Sequence, residues 1–108
     1  MKNISIIGLG FIGLPLACVL SNIKKNNKLL FQVNAYDKKY NGKNKENFFD
    51  IKKKIIDKKL LDRIENAKKN NLINFSNDYS RLKNSNVVAV SVNFHFETSQ
   101  YKNQFKKI

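Results

Sequence analysis

An α/β fold, half of a doubly wound domain with helices on the faces of a parallel sheet, is what the sequence predicts on three observations. Short apolar runs recur at Asn3–Ile7, Leu29–Tyr36, Leu72–Phe75 and Val87–Val92, and runs of this kind fit strands buried in a parallel sheet. Between them, apolar residues return every three or four positions, the spacing of an amphipathic helix. Three glycines, Gly8, Gly10 and Gly13, fall where the first strand gives way to the first helix. The predicted order is βαβαβαβ, which requires right-handed crossovers between parallel strands.

Each element has its own local reason. Asn3–Ile7 is rich in isoleucine and reads as a buried strand. Phe11 to about Ile23 carries Ile12, Leu16, Val19, Leu20 and Ile23 at helical spacing. Pro15 lies near the start of that helix, where a missing N–H costs least. Lys24–Lys28 is a polar break, and Leu29–Tyr36 has the β-branched and aromatic content of a second strand. Lys38–Asn47 is a polar loop containing Gly42. Phe48 to about Lys69 places Ile51, Ile55, Ile56, Leu60, Leu61 and Ile64 in one stripe, predicting an amphipathic helix or two short ones. Leu72–Phe75 is a brief third strand, and Asn77 or Asp78 caps a short helix through about Leu82. Val87–Val92 (VVAVSV) is the strand with the least ambiguous pattern. Residues 1–92 thus form the domain, and 93–108 read as a polar tail.

The bulk composition bounds the function. At 108 residues the chain makes one domain. A mean hydropathy of −0.48 and the lack of any apolar run near the ~20 residues of a spanning helix argue against a membrane protein. The N-terminus has no signal-peptide core, and one cysteine, Cys18, excludes an internal disulfide; both fit a cytoplasmic location. The net charge of +13 resembles a nucleic-acid binder, yet 19 of the 21 basic residues are lysine. A reader of bases uses arginine for its bidentate geometry, and Arg63 and Arg81 sit in no basic-aromatic cluster. No nucleic-acid partner is therefore expected, although the field still attracts anions.

That context gives weight to the glycines. The G-x-G-x-x-G pattern carries meaning only after a strand, at the start of a helix, with an acidic residue about 20 positions on. All of these conditions are approximately met. Gly8 permits the tight turn, Gly10 lets the backbone approach a pyrophosphate, and Gly13 allows the helix to pack closely on the sheet. The helix N-terminus offers unpaired N–H groups and partial positive charge. Asp37, 24 residues after Gly13, ends the second strand, where its carboxylate can accept from ribose hydroxyls. The expectation is a Rossmann-like dinucleotide site; the alternative is that the glycines serve chain geometry alone.

GLGFIGLPLA, with Tyr36-Asp37 after the second strand, resembles the N-terminal domain of the UDP-glucose/GDP-mannose dehydrogenase family. The later stretch NNLINFSNDYSRLKNSNVVAVSV is similar to that family's third strand, short helix and fourth strand. The similarity covers roughly residues 3 to 92, with a divergent middle from Lys38 to Lys54. It implies NAD as cofactor and a two-step oxidation of a nucleotide-sugar alcohol to a carboxylate through a thiohemiacetal on cysteine. The residues it carries over are the cofactor contacts Gly8, Gly10, Phe11, Ile12, Gly13 and Asp37. It also implies a basic residue near the adenosine, for which Lys38, Lys39 and Lys43 are all open.

The departures from the family concern the chemistry. Where the family leaves its fourth strand through a proline-threonine turn, this chain has Val92-Asn93-Phe94-His95. The family's catalytic cysteine follows a glycine-rich segment, whereas Cys18 lies in the first helix and reads as a core residue. His95 is the lone histidine; it and Cys18 make no metal site, and no catalytic residue is assigned. Asp57, Asp62 and Glu65 lie among lysines on a solvated face. Two functions follow as expectations. The chain is the cofactor-binding portion of a nucleotide-sugar 6-dehydrogenase, truncated and acting on a nucleotide sugar only when a catalytic partner domain is supplied. The alternative is a stand-alone nucleotide-binding or interaction module without turnover. Self-association through the Val87–Val92 edge is expected in either case.

Overall fold

The computed structural model describes residues 1–91. Val92, His95 and the polar segment 93–108 lie outside the described residues. Strand β1 spans Lys2–Ile7 and helix α1 Gly13–Ser21. The helix begins two residues later than Phe11 because the glycine turn occupies the intervening chain. It closes at Ser21, where the Asn22 side-chain amide donates to the Cys18 carbonyl at 2.7 Å and the Asn22 N–H donates to Val19 O.

The predicted polar break Lys24–Lys28 is instead a small hairpin, β2 (Lys24–Lys25) paired antiparallel with β3 (Lys28–Leu29). Asn26 and Asn27 adopt φ of 53° and 63°, the left-handed pair that a two-residue type I′ turn needs and that asparagine tolerates. Leu29 therefore belongs to the hairpin, and the second long strand, β4, runs from Phe31 to Tyr36.

The predicted stripe Phe48–Lys69 is also divided. Helix α2 starts inside the expected loop, at Lys45, and ends at Phe49; a 3₁₀ segment covers Asp50–Lys54. The chain is extended at Ile55 and Asp57 before helix α3, Lys58–Lys69. Ile56, at the break, is 96% exposed, so it is not part of the buried stripe. Strand β5 (Ile73–Ser76), a 3₁₀ crossover capped by Asp78 (Tyr79–Asn84) and strand β6 (Val87–Val90) complete the described chain.

The four long strands form one parallel sheet in the order β5-β4-β1-β6. Alternation along the strands divides its faces. Ile4, Ile6, Val33, Ala35 and Ile73 are buried toward α1 and α3, against Leu14, Ala17, Cys18, Ile64 and Ala67. Phe48, Phe49, Tyr40 and Phe75 extend this core as an aromatic cluster. The opposite face is more polar: Ser5 shares a hydrogen bond with Ser85, and Tyr36 packs on Tyr79 with ring centroids 5.9 Å apart. Because β6 lies on the far side of β1 from β4, the connectivity reverses at β1. In open parallel sheets, ligands bind beyond the carboxyl ends of the strands at such a reversal.

Candidate functional site at the glycine turn

Backbone hydrogen bonds join the carboxyl ends of the strands. The Gly8 N–H donates to Tyr36 O at 2.8 Å, Ser91 N–H to Ile7 O at 2.7 Å and Asp37 N–H to Ser76 O at 3.1 Å. The residues just past β1, β4 and β6 thus meet at one place.

Two of the three glycines are required there by the chain itself. Gly8 has φ of +92°, and a Cβ on it would lie 1.7 Å from the Ser91 carbonyl oxygen. A Cβ on Gly13 would lie 1.8 Å from Gly8 O. The loop after β1, the start of α1 and the end of β6 are therefore in direct backbone contact. Gly10 accepts from Leu14 N–H at 3.2 Å. Among the described residues, no carbonyl takes up the N–H groups of Gly10, Phe11, Ile12 and Gly13, and α1 has no side-chain cap. These groups retain the donor capacity and partial positive charge of a helix N-terminus.

Asp37 is held at the same place by two backbone donors. Its Oδ2 accepts from Leu9 N–H at 2.9 Å, and its Oδ1 accepts from Lys39 N–H at 2.9 Å. The first bond ties the end of β4 to the glycine loop, and the second closes a turn on Asp37 itself. Among the described residues each oxygen accepts a single hydrogen bond, and a carboxylate oxygen has capacity for a second.

A cleft of about 470 Å³ opens beside this carboxylate. Gly8, Leu9 and Ser91, the basic residues Lys38 and Lys39, and the aromatic residues Phe48 and Tyr79 line it with Asp37. Of the residues expected from the sequence, Gly8 and Asp37 line it. Gly10, Phe11, Ile12 and Gly13 follow in the loop and the start of α1 without lining it. Phe11 and Ile12 are more than half exposed, and the Lys54 ammonium lies 5.3 Å from the centre of the Phe11 ring. Lys43 is not at the cleft; its N–H donates to Asn41 Oδ1. Leu9, Ser91, Phe48 and Tyr79 were not among the expected residues. Ser91 carried a signal, since it follows β6 as Gly8 follows β1. Phe48 and Tyr79 carried none.

A larger cleft of about 530 Å³ lies elsewhere, beside Gln32, Asn34, Asn74 and Arg81. None of these four residues lines the cleft at the glycine turn. Cys18 is fully buried in α1, and burial pushes its thiol up to about 12; it is a core residue. Among the described residues no group of three His, Cys, Asp or Glu side chains could hold a metal ion, and no helix is long and apolar enough to cross a membrane.

The model of the UDP-glucose/GDP-mannose dehydrogenase family, NAD binding domain, matches residues 2–106. Comparison with curated proteins finds no match. Among solved structures, the chain is similar to the NDP-N-acetyl-D-galactosaminuronic acid dehydrogenase of Methanosarcina mazei Go1, with a TM-score of 0.63 at 18% identity. That alignment covers 90% of this chain and 20% of the other, so the chain spans about a fifth of that protein's length. At this identity the likeness is one of fold.

Proposed function

Because the chain belongs to the UDP-glucose/GDP-mannose dehydrogenase family as its NAD-binding domain, we propose that the cleft at the glycine turn holds the ADP half of NAD. The observation that carries this reading is the Leu9 N–H bond to Asp37 Oδ2, which sets an acceptor carboxylate beside the glycine loop at the cleft. The residues present fit the group. Asp37 has lone pairs for ribose hydroxyls. The N–H groups of Gly10, Phe11, Ile12 and Gly13 suit a pyrophosphate. Phe48 and Tyr79 offer aromatic surface for the base. Gly8 and Gly13 act indirectly, by letting the loop, helix and β6 approach closely enough to shape the site.

Bound NAD supplies a hydride acceptor. We assign the oxidation of a UDP- or GDP-sugar alcohol to a catalytic domain additional to this one. Cys18, in the core with its thiol held protonated, is no nucleophile for that step. A cytoplasmic setting accords with this cofactor and with a single unpaired thiol.

Calorimetric titration of the 108-residue chain with NAD tests the reading. Saturable binding is expected, weakened by about tenfold or more in Asp37→Ala and in Gly10→Ala. No NADH absorbance should develop with UDP-glucose added. A folded sample that takes up no NAD would return the glycines to chain geometry, and hydride transfer by the chain alone would overturn the division of labour.

A further inference from the structure

Of the four glycines only Gly42 follows an asparagine, so Asn41-Gly42 is the single Asn-Gly pair in an asparagine-rich chain. The pair lies between β4 and α2, outside every helix and strand, and Asn41, Gly42 and Lys43 are all exposed. Asn34 in β4 and Asn66 in α3 cannot turn their backbones without breaking the hydrogen bonds of those elements. No such ladder holds Asn41. Gly42 has φ of +87°, and among the described residues nothing lies within 4 Å of an added Cβ, so its peptide nitrogen is approachable. The Asn41 side chain already folds back over that peptide. Lys43 N–H donates to Asn41 Oδ1 at 2.9 Å, closing a ring that contains both Asn41 Cγ and Gly42 N. The same donor faces the oxygen on which negative charge gathers when a nucleophile adds to Cγ.

We propose that Asn41-Gly42 is a site of spontaneous covalent modification, where the chain cyclises to a succinimide and reopens as an isoaspartyl link. The Gly42 nitrogen, its proton taken by hydroxide, attacks Asn41 Cγ and forms a new C–N bond. The Cγ–Nδ2 bond breaks, and Nδ2 leaves as ammonia with a proton from water. Water then adds to one of the two ring carbonyls. Addition at the main-chain carbonyl carbon of Asn41 leaves the chain joined through Cγ, as isoaspartate; addition at Cγ gives aspartate. The sum is asparagine plus water to ammonia plus either acid, with no oxidant or reductant. Isoaspartate adds a backbone methylene and a negative charge between Tyr40 and α2. Tyr40 packs with Phe48 and Phe75, and Asn41 N–H donates to Asn44 Oδ1 just ahead of α2. The longer link displaces Asn41 from Asn44 and loosens the start of that helix.

Incubating the folded chain at body temperature and mildly alkaline pH, with peptide mass spectrometry over several weeks, tests this. A gain of about 1 Da at Asn41 is expected as an amide becomes an acid. Isoaspartate among the products identifies the ring, because direct hydrolysis yields aspartate alone. The Cβ of Gly42→Ala crowds the attacking nitrogen, and Asn41→Gln must close a six-membered ring; each should slow the change at least about tenfold. Circular dichroism verifies that both variants are folded. The isoaspartyl fraction, separated by ion exchange, should unfold at a lower urea concentration than fresh protein. No mass gain at Asn41, aspartate without isoaspartate, or an unchanged rate in folded Gly42→Ala overturns the inference. An unaltered urea midpoint in the isoaspartyl fraction overturns its link to α2.

Discussion

At the scale of single residues, the glycines divide by what a methyl group would meet. Gly42 has φ of +87° with no atom within 4 Å of an added Cβ among the described residues, so alanine there incurs backbone strain alone. Gly13 is not left-handed, but its Cβ would collide with Gly8 O. Gly8 combines a φ of +92° with a collision against Ser91 O. The colliding atoms are backbone, which cannot rotate away as a side chain would. Gly42→Ala is expected to cost about 1–2 kcal/mol, and Gly13→Ala and Gly8→Ala about 2–4 kcal/mol each, with Gly8 the larger. Urea denaturation of the three variants checks the order. Equal losses at Gly42 and Gly8 would show that the loop relaxes away from Ser91.

At the scale of elements, turn and cap chemistry decides where the periodic segments stop. The stripe Ile51, Ile55, Ile56, Leu60 continues in sequence through a point where the helix does not. Asp57 breaks it: the residue is extended, and its carboxylate accepts from Leu60 N–H at 3.1 Å as the N-cap of α3. An aspartate three positions before an apolar residue is the local signal for this start, and the unbroken apolar period masks it. Removing this acceptor in Asp57→Ala should cost about 1 kcal/mol, read as a lower urea midpoint with an unchanged slope. Asp57→Asn should retain most of the stability, because an amide oxygen also caps. The Asn26-Asn27 hairpin was legible in the same way, from residues that tolerate the left-handed region, yet the surrounding lysines made the segment read as unstructured.

At the scale of the whole molecule, the sheet edge and the net charge oppose each other. Among the described residues strand β6 pairs with β1 on one side only, and Val87, Val88 and Val90 are 52%, 46% and 64% exposed. An uncharged β-branched edge of this kind templates pairing with another chain. The formal charge of +13 repels a second copy, and salt screens that repulsion over about 10 Å at 0.1 M. Self-association is therefore expected to rise with both protein concentration and added salt, and to diminish in Val88→Lys. Sedimentation or light scattering across a salt series measures it. A monomer throughout, at high salt and high concentration, counts against the edge as an association surface.

The sequence by itself determined the order of the four long strands, the parallel α/β class, the glycine turn ahead of the first helix and the acid that follows the second long strand, but not the β2–β3 hairpin or the division between α2 and α3. These are local properties: periodicity, propensity and turn chemistry act over a few residues. The family resemblance rested on the same short segments, and its NAD-binding assignment agrees with the family match over residues 2–106. Only the tertiary structure decided that Gly8 is pressed against Ser91, that Leu9 holds Asp37, and that Phe48 and Tyr79 line the cleft. It also decided that Lys38 and Lys39, rather than Lys43, line that cleft. Those facts depend on how β1, β4 and β6 end beside one another, and that arrangement follows from burying Ile6, Val33, Leu14 and Ile64 in one core. Such burial is collective and long-range, so no short window of sequence contains it.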